Sequence, residues 1–259
     1  MASPAFVGVG VALLTLFTSE GEVDVPATVD HARRLVDAGV RAVLVAGTTG
    51  EAETLDDAER ADLIAAVRDA LPEEITVIAG ASGAWPRAAA RRTAAARAAG
   101  ADAVLVSPAR GGVDQRELFA SVADAAGGPE RVIGYHNPGP LGVPGIDVGT
   151  LPDLPIGGLK DSSADPVRLL HELSTWDGAI YVGSGALLSF AGPLGVAGAL
   201  LAFANVAPEA CIKAFGGDAT AQRELADLAI AVRASGLRAL KDAAAARYGT
   251  STVCRLALR

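Results

Sequence analysis

The chain alternates two hydrophobic textures. Eight short apolar runs are continuous rather than alternating: Gly8–Leu16, Ala42–Ala46, Thr76–Ala79, Ala103–Val106, Arg131–Tyr135, Ile156–Lys160, Ala179–Val182 and Gly198–Ala202. Continuous runs of this length are what parallel strands covered on both faces require. Between them, apolar residues return at i, i+3 and i+4: Ala32, Leu35 and Val36; Leu63, Ile64, Val67 and Leu71; Leu118, Phe119 and Val122; Leu169, Leu170 and Leu173. Each set is one stripe of a half-buried helix. The punctuation agrees. Pro86, Pro166 and Pro208 stand at first helical positions, Asp165 can cap the helix behind it, and Gly39 and Gly100 fall where helices stop before strands.

Eight strands alternating with helices predict an α/β fold, a (β/α)8 TIM barrel with a short C-terminal helical extension. The barrel is expected over residues 1–207. Residues 208–259 hold the eighth helix and a tail with helices near Ala219–Ala234 and Leu237–Ala246. No linker or composition break divides them, so both belong to one domain. A doubly wound sheet would want a G-x-G-x-x-G turn after an early strand, and the second run ends instead in Gly47-Thr48-Thr49-Gly50-Glu51.

Composition narrows the function. With 51% hydrophobic and 20% charged residues, the chain has material for a large core. A net charge of −8 without a basic run argues against nucleic acid and against an anionic membrane surface as partners. Two cysteines and three histidines supply neither a disulfide framework nor a zinc or His-rich metal site. The apolar stretch Ala5–Phe17 has no Lys or Arg before it and is too short to span a bilayer, so it is read as a buried strand and the protein as cytoplasmic.

Barrel chemistry sits at the C-terminal ends of strands. Those ends carry Thr48, Thr49, Gly50 and Glu51 after the second strand and Arg110 after the fourth. The fifth carries Tyr135, His136 and Asn137, the sixth Lys160 and Ser162, and the seventh Gly183. Lys160 is the sharpest of them. Only three of the 22 basic residues are lysines, Lys160, Lys213 and Lys241. Lys213 and Lys241 fall in helical stretches and are read as solvated charge. Lys160 closes an apolar strand, where an ammonium loses hydration and yields its proton more readily. A neutral amine attacks a carbonyl to form a Schiff base, which a guanidinium cannot do. The alternative is a lysine paired with Asp161 or reaching to the rim. Tyr135, on the neighbouring strand, can give or take a proton beside it. The Thr48-Thr49-Gly50 turn offers hydroxyls and N–H groups to a small carboxylate. A lone His136 beside Asn137 suits substrate contact or structure better than metal ligation.

These motifs together resemble the dihydrodipicolinate synthase / N-acetylneuraminate lyase family. They are Gly47-Thr48-Thr49-Gly50-Glu51, Tyr135-His136-Asn137-Pro138, Gly158-Leu159-Lys160-Asp161 and Asn205-Val206-Ala207-Pro208-Glu209, in order over nearly the whole chain. The resemblance implies class I, Schiff-base chemistry on pyruvate or another 2-oxo acid, with a carbon–carbon bond made to or cleaved from an aldehyde partner. By resemblance Lys160 forms the imine, Tyr135 shuttles the proton, Thr48 orients the phenol, the Thr49-Gly50 backbone holds the carboxylate, and Leu200 places a carbonyl near the lysine. No metal or organic cofactor is implied, and a homo-oligomer, dimer or tetramer, is usual. The chain departs from dihydrodipicolinate synthases at two places. Pro140 stands where their aldehyde-gripping Arg would be, and Ala109 and Arg110 stand where they carry a Tyr-Tyr pair. Arg110 could supply the missing carboxylate contact, or equally be an interface residue. A dehydratase or hydratase on the same scaffold, or a non-catalytic 2-oxo acid binder, remain the alternative readings.

Overall fold

The computed structural model describes residues 3–256. Eight parallel strands close into a barrel in sequence order: β1 (Gly8–Ala12), β2 (Ala42–Val45), β3 (Thr76–Gly80), β4 (Ala103–Val106), β5 (Val132–His136), β6 (Gly158–Asp161), β7 (Ala179–Val182) and β8 (Gly198–Leu201). Each coincides with one of the eight apolar runs. The first is shorter than its run, because beyond Leu13, whose N–H still donates to Leu44 O at 3.0 Å, side chains replace the strand ladder. Leu14 N–H donates to Asn205 Oδ1 at 3.0 Å and Leu16 N–H to Thr28 Oγ1 at 3.0 Å. Those residues stay buried without being strand.

The helices are α1 (Val25–Asp37), α2 (Asp57–Ala70), α3 (Pro86–Ala98), α4 (Gln115–Ala126), the single turn α5 (Pro138–Leu141), α6 (Pro166–Thr175), the single turn α7 (Leu188–Ala191), α8 (Pro208–Phe215), α9 (Ala219–Glu224) and α10 (Ala226–Tyr248). The proline and cap positions hold. Pro86, Pro166 and Pro208 are first residues, and Asp165 accepts the N–H groups of Val167 and Arg168. In the tail, the expected gap after Ala234 is a kink at Gly236 (φ 57°, ψ −135°), a backbone region open mainly to glycine. The first tail helix also breaks at Leu225, which is buried.

Side chains alternate across the barrel wall. The outward set, including Val9, Val43, Val77, Val104, Leu159 and Ile180, packs against the helices in the main core. The inward set, Ala12, Leu44, Ile78, Leu105, Ile133, Tyr135, Tyr181 and Leu200, fills the barrel itself. The bottom is plugged by Tyr181 stacked on Phe6, ring centroids 4.5 Å apart, with the Tyr181 hydroxyl donating to the Phe6 carbonyl at 3.2 Å. Bulk in the lower layers and small residues above leave the C-terminal mouth to polar groups. Among the described residues, no helix is long and apolar enough to cross a membrane.

Candidate active site

Strand register assembles the centre. Tyr135, Lys160 and Tyr181 are neighbours across β5, β6 and β7. Strand parity turns all three inward. Tyr181 belongs to the plug, so Tyr135 and Lys160 reach towards the mouth. Lys160 is 5% exposed, and its Nζ lies 4.5 Å from the Tyr135 ring centroid, over the π face. Among the described residues, no carboxylate lies within ion-pairing distance of it. Asp161 does not pair with it, because the next residue on a strand faces the other way. That carboxylate accepts from Ser163 N–H at 2.8 Å and Ser163 Oγ at 2.9 Å, and approaches Arg168 at 3.8 Å. Gly183, at the end of β7, gives the lysine its room. A Cβ there would stand 2.9 Å from Lys160 Cε and would collide with Ser162 Oγ.

The Tyr135 phenol is the hub of the polar groups. Asn137 Nδ2 donates to it at 2.9 Å. Burial pushes the phenol pKa up. The Lys160 charge and hydrogen bonding from Ser162, Asn137 and Thr48 together outweigh burial and hold it below the usual tyrosine value. A phenol that ionises more readily, in contact with an unpaired amine, is suited to passing a proton to and from chemistry at that amine.

The third component is the turn after β2. Ala46 takes a left-handed conformation (φ 52°) and turns the chain sharply at the strand end. Gly50 N–H then donates to Gly47 O at 3.0 Å and Glu51 N–H to Thr48 O at 3.1 Å. Gly50 is buried against β1: Thr15 Oγ1 donates to its carbonyl at 2.7 Å, and a Cβ there would stand 3.0 Å from both Leu13 O and Thr15 Oγ1. The turn therefore presents Thr48, exposed, and Thr49, half-buried, on a fixed base.

Three sequence expectations change. His136 does not face the mouth, since it follows the inward Tyr135. It is buried behind the wall, and its Nδ1 accepts the Ile146 N–H at 2.9 Å. Burial, then the nearby Arg168, lowers its pKa, with Asp161 acting the other way. Glu51 spends both carboxylate oxygens away from the turn, on Lys241 at 2.6 Å and on Leu256 N–H at 2.7 Å. Lys241 is therefore not solvated but fully buried, while Lys213 is exposed as expected. Arg110 is exposed at the rim and donates to the Leu141 carbonyl at 2.8 Å. Leu200 lines the barrel interior beside Gly10, its register partner.

Sequence reasoning also missed a cluster of ionisable groups beside Asp161. Arg168 Nε lies 2.8 Å from Glu172 Oε1, at an angle that makes no hydrogen bond, and Glu172 is fully buried. Burial, and then the Asp161 charge, push the Glu172 carboxyl up to about 8 against the pull of Arg168. The i, i+4 spacing of Arg168 and Glu172 was a signal for their contact, though not for their burial. Among the described residues, no three His, Cys, Asp or Glu side chains converge as a metal-ligand set.

The whole assembly has close counterparts. Residues 5–228 match the Dihydrodipicolinate synthetase family. The 4-hydroxy-tetrahydrodipicolinate synthase 1 of Streptomyces coelicolor is 34% identical over 241 residues, 87% of this chain and 78% of that protein. The structure resembles the dihydrodipicolinate synthase of Aquifex aeolicus with a TM-score of 0.83 and 29% identity, over 98% of this chain and 92% of that one. It also resembles the chloride-inhibited dihydrodipicolinate synthase of Acinetobacter baumannii complexed with pyruvate, with a TM-score of 0.79 and 27% identity, over 88% and 84%.

Proposed function

The chain belongs to the dihydrodipicolinate synthetase family of lyases, and from that premise we propose that it makes or cleaves a carbon–carbon bond next to pyruvate or a related 2-oxo acid through an imine on Lys160. The observation that carries this reading is a buried amine with no acidic partner among the described residues, lying on the face of a phenol that burial alone would have made less acidic but its neighbours make more so.

The steps follow from the geometry. The Lys160 amine attacks the ketone carbon, and loss of water gives the iminium. A proton leaves the adjacent methyl carbon, and the resulting enamine carbon attacks the carbonyl of an aldehyde. Tyr135 takes that methyl proton and carries protons to and from the carbinolamine and the aldehyde oxygen, with Thr48 and Ser162 orienting its hydroxyl. The 2-oxo acid carboxylate takes the N–H and hydroxyl of Thr49 at the Thr49–Gly50 backbone, where the Gly50 N–H is already given to the Gly47 carbonyl. In this reading the Leu200 carbonyl is assigned to the lysine by family resemblance alone, and Asn137 holds the phenol from just beyond the fifth strand. At the acceptor end Arg110 offers N–H groups beyond the one given to Leu141, which suits an acidic or hydroxylated aldehyde. The absent tyrosine pair and the proline at position 140 make a partner other than that of a strict dihydrodipicolinate synthase the better reading. No cofactor is needed for these steps.

The test is a panel of aldehydes presented with pyruvate, the products identified by mass. Pyruvate-dependent consumption of one aldehyde, lost in Lys160→Arg, is the predicted result. Release of water without a new carbon–carbon bond would instead favour a dehydratase on this scaffold. Pyruvate binding with no turnover of any 2-oxo acid would leave a binding protein.

A further inference from the structure

The proposed chemistry makes no use of Glu51 or Lys241, yet both are removed from water. Glu51 is 1% exposed and Lys241 0%, and Lys241 Nζ sits 2.6 Å from Glu51 Oε1. Nothing about barrel closure asks for an ion pair here, and ions this buried cost free energy unless every bond is met. Every bond is met. Lys241 Nζ also donates to the Val253 carbonyl and lies 4.5 Å from the Phe17 ring centroid. Glu51 Oε2 accepts the Leu256 N–H at 2.7 Å. One residue back, Arg255 fixes the same stretch. It holds Glu59 at 2.6 and 2.8 Å, the Thr54 carbonyl at 3.0 Å and the Gly21 carbonyl at 2.6 Å.

The pair thus ties the segment that follows α10 to the last residue of the Gly47–Glu51 turn. Glu51 itself has a left-handed backbone (φ 53°), which a residue other than glycine holds only when something keeps it there. Its N–H donates to the Thr48 carbonyl, so the conformation of Glu51 and the placement of Thr48–Gly50 are one geometry. We infer that the Glu51–Lys241 pair, braced by residues 250–256, is a positioning device that holds the Thr48–Thr49–Gly50 cradle in the form that takes a 2-oxo acid carboxylate. This rests on the proposed function for the ligand. Glu51 and Lys241 are positioning residues, acting through the turn rather than on substrate.

Removing one partner strands a buried charge, so the informative variant removes both. Gln at 51 keeps an acceptor for the Leu256 N–H, and Met at 241 keeps the volume of the lysine stem. In Glu51→Gln/Lys241→Met, with folding checked by circular dichroism, the pyruvate concentration giving half-maximal borohydride trapping should rise about tenfold or more while the maximal yield stays at the wild-type level. Half-saturation within about twofold of wild type in a folded double variant would overturn the inference. Should the double variant not fold, Leu256→Pro removes the N–H given to Glu51 Oε2 while keeping both charges of the pair, with retention of the Arg255 contacts checked by the same circular dichroism. A rise of about threefold is then expected, and none overturns the inference. If the wild-type protein itself fails to trap pyruvate, the proposed function falls. The positioning claim is then read from hydrogen exchange at the Thr48–Glu51 amides, which should be about tenfold faster in the double variant (or in Leu256→Pro) and would contradict the claim if unchanged.

Discussion

Tyr135 is the residue on which the polar groups of the site converge, and its replacement separates two roles. Tyr135→Phe keeps the ring under the Lys160 ammonium and removes the hydroxyl that Asn137 reaches at 2.9 Å. Exchange of the pyruvate methyl protons with deuterium, followed by NMR, needs the enamine but no aldehyde. It should slow by about 10²-fold in this variant while the adduct on Lys160 still forms; undiminished exchange would remove Tyr135 from the proton path. The importance of Lys160 was legible in the sequence because arginine fills most other basic positions, leaving an amine where charge alone would not explain it. The same argument failed at Lys241. Its helix has charges all round in sequence, and only packing of the tail over α10 shows which side is enclosed. His136 failed for a simpler reason: its sequence neighbour Tyr135 faces inward, and strand parity then commits it to the outer layer. That was available from the sequence once Tyr135 was given a role.

Among the elements, the strand ends matter more than the helices. The eight apolar runs located every strand, since burial on both faces leaves a continuous signal. They did not locate where each strand stops pairing, which depends on side chains arriving from elsewhere. Asn205 is the main case. It accepts from Leu14 N–H and donates to the Ala12 and Ala202 carbonyls, joining the ends of β1 and β8. Asn205→Ala leaves those buried groups unpaired and should lower unfolding stability by about 1–3 kcal/mol in a denaturant titration, with the pyruvate adduct retained. Gly183 has the opposite profile. Its missing Cβ makes space for Lys160 Cε and Ser162 Oγ, so Gly183→Ala should displace the reactive amine. Adduct formation is expected to slow by about 10²-fold, with stability less affected than rate. Equal trapping rates in Gly183→Ala and wild type would show that the lysine is not held by that gap.

For the molecule as a whole, the buried ionisable groups set how stability follows pH. The Glu172 carboxyl is raised from 4.5 to about 8, so the folded chain holds that proton more tightly than the unfolded one. Its contribution is fully present below pH 4.5 and is lost as pH rises through about 8. His31 runs the other way. Burial first, with the neighbouring Asn205 opposing and Arg34 assisting, lowers its pKa from 6.5 to about 4. Its contribution is complete above 6.5 and is lost as pH falls through about 4. Glu172→Gln should therefore gain melting temperature relative to wild type as pH is raised across that upper window. A constant difference would mean Glu172 is ionised throughout. None of this was visible in composition, because a net charge of −8 says nothing of which carboxylates are enclosed. The central claim is narrower: one amine, at the mouth of the barrel, forms an imine with a 2-oxo acid. Borohydride reduction in the presence of pyruvate, followed by peptide mass analysis of wild type and Lys160→Arg, tests it directly. A reduced pyruvate adduct on Lys160 in the wild type, and none in a folded Lys160→Arg, is the predicted result. An unmodified Lys160, or an adduct that persists in the variant, would contradict it.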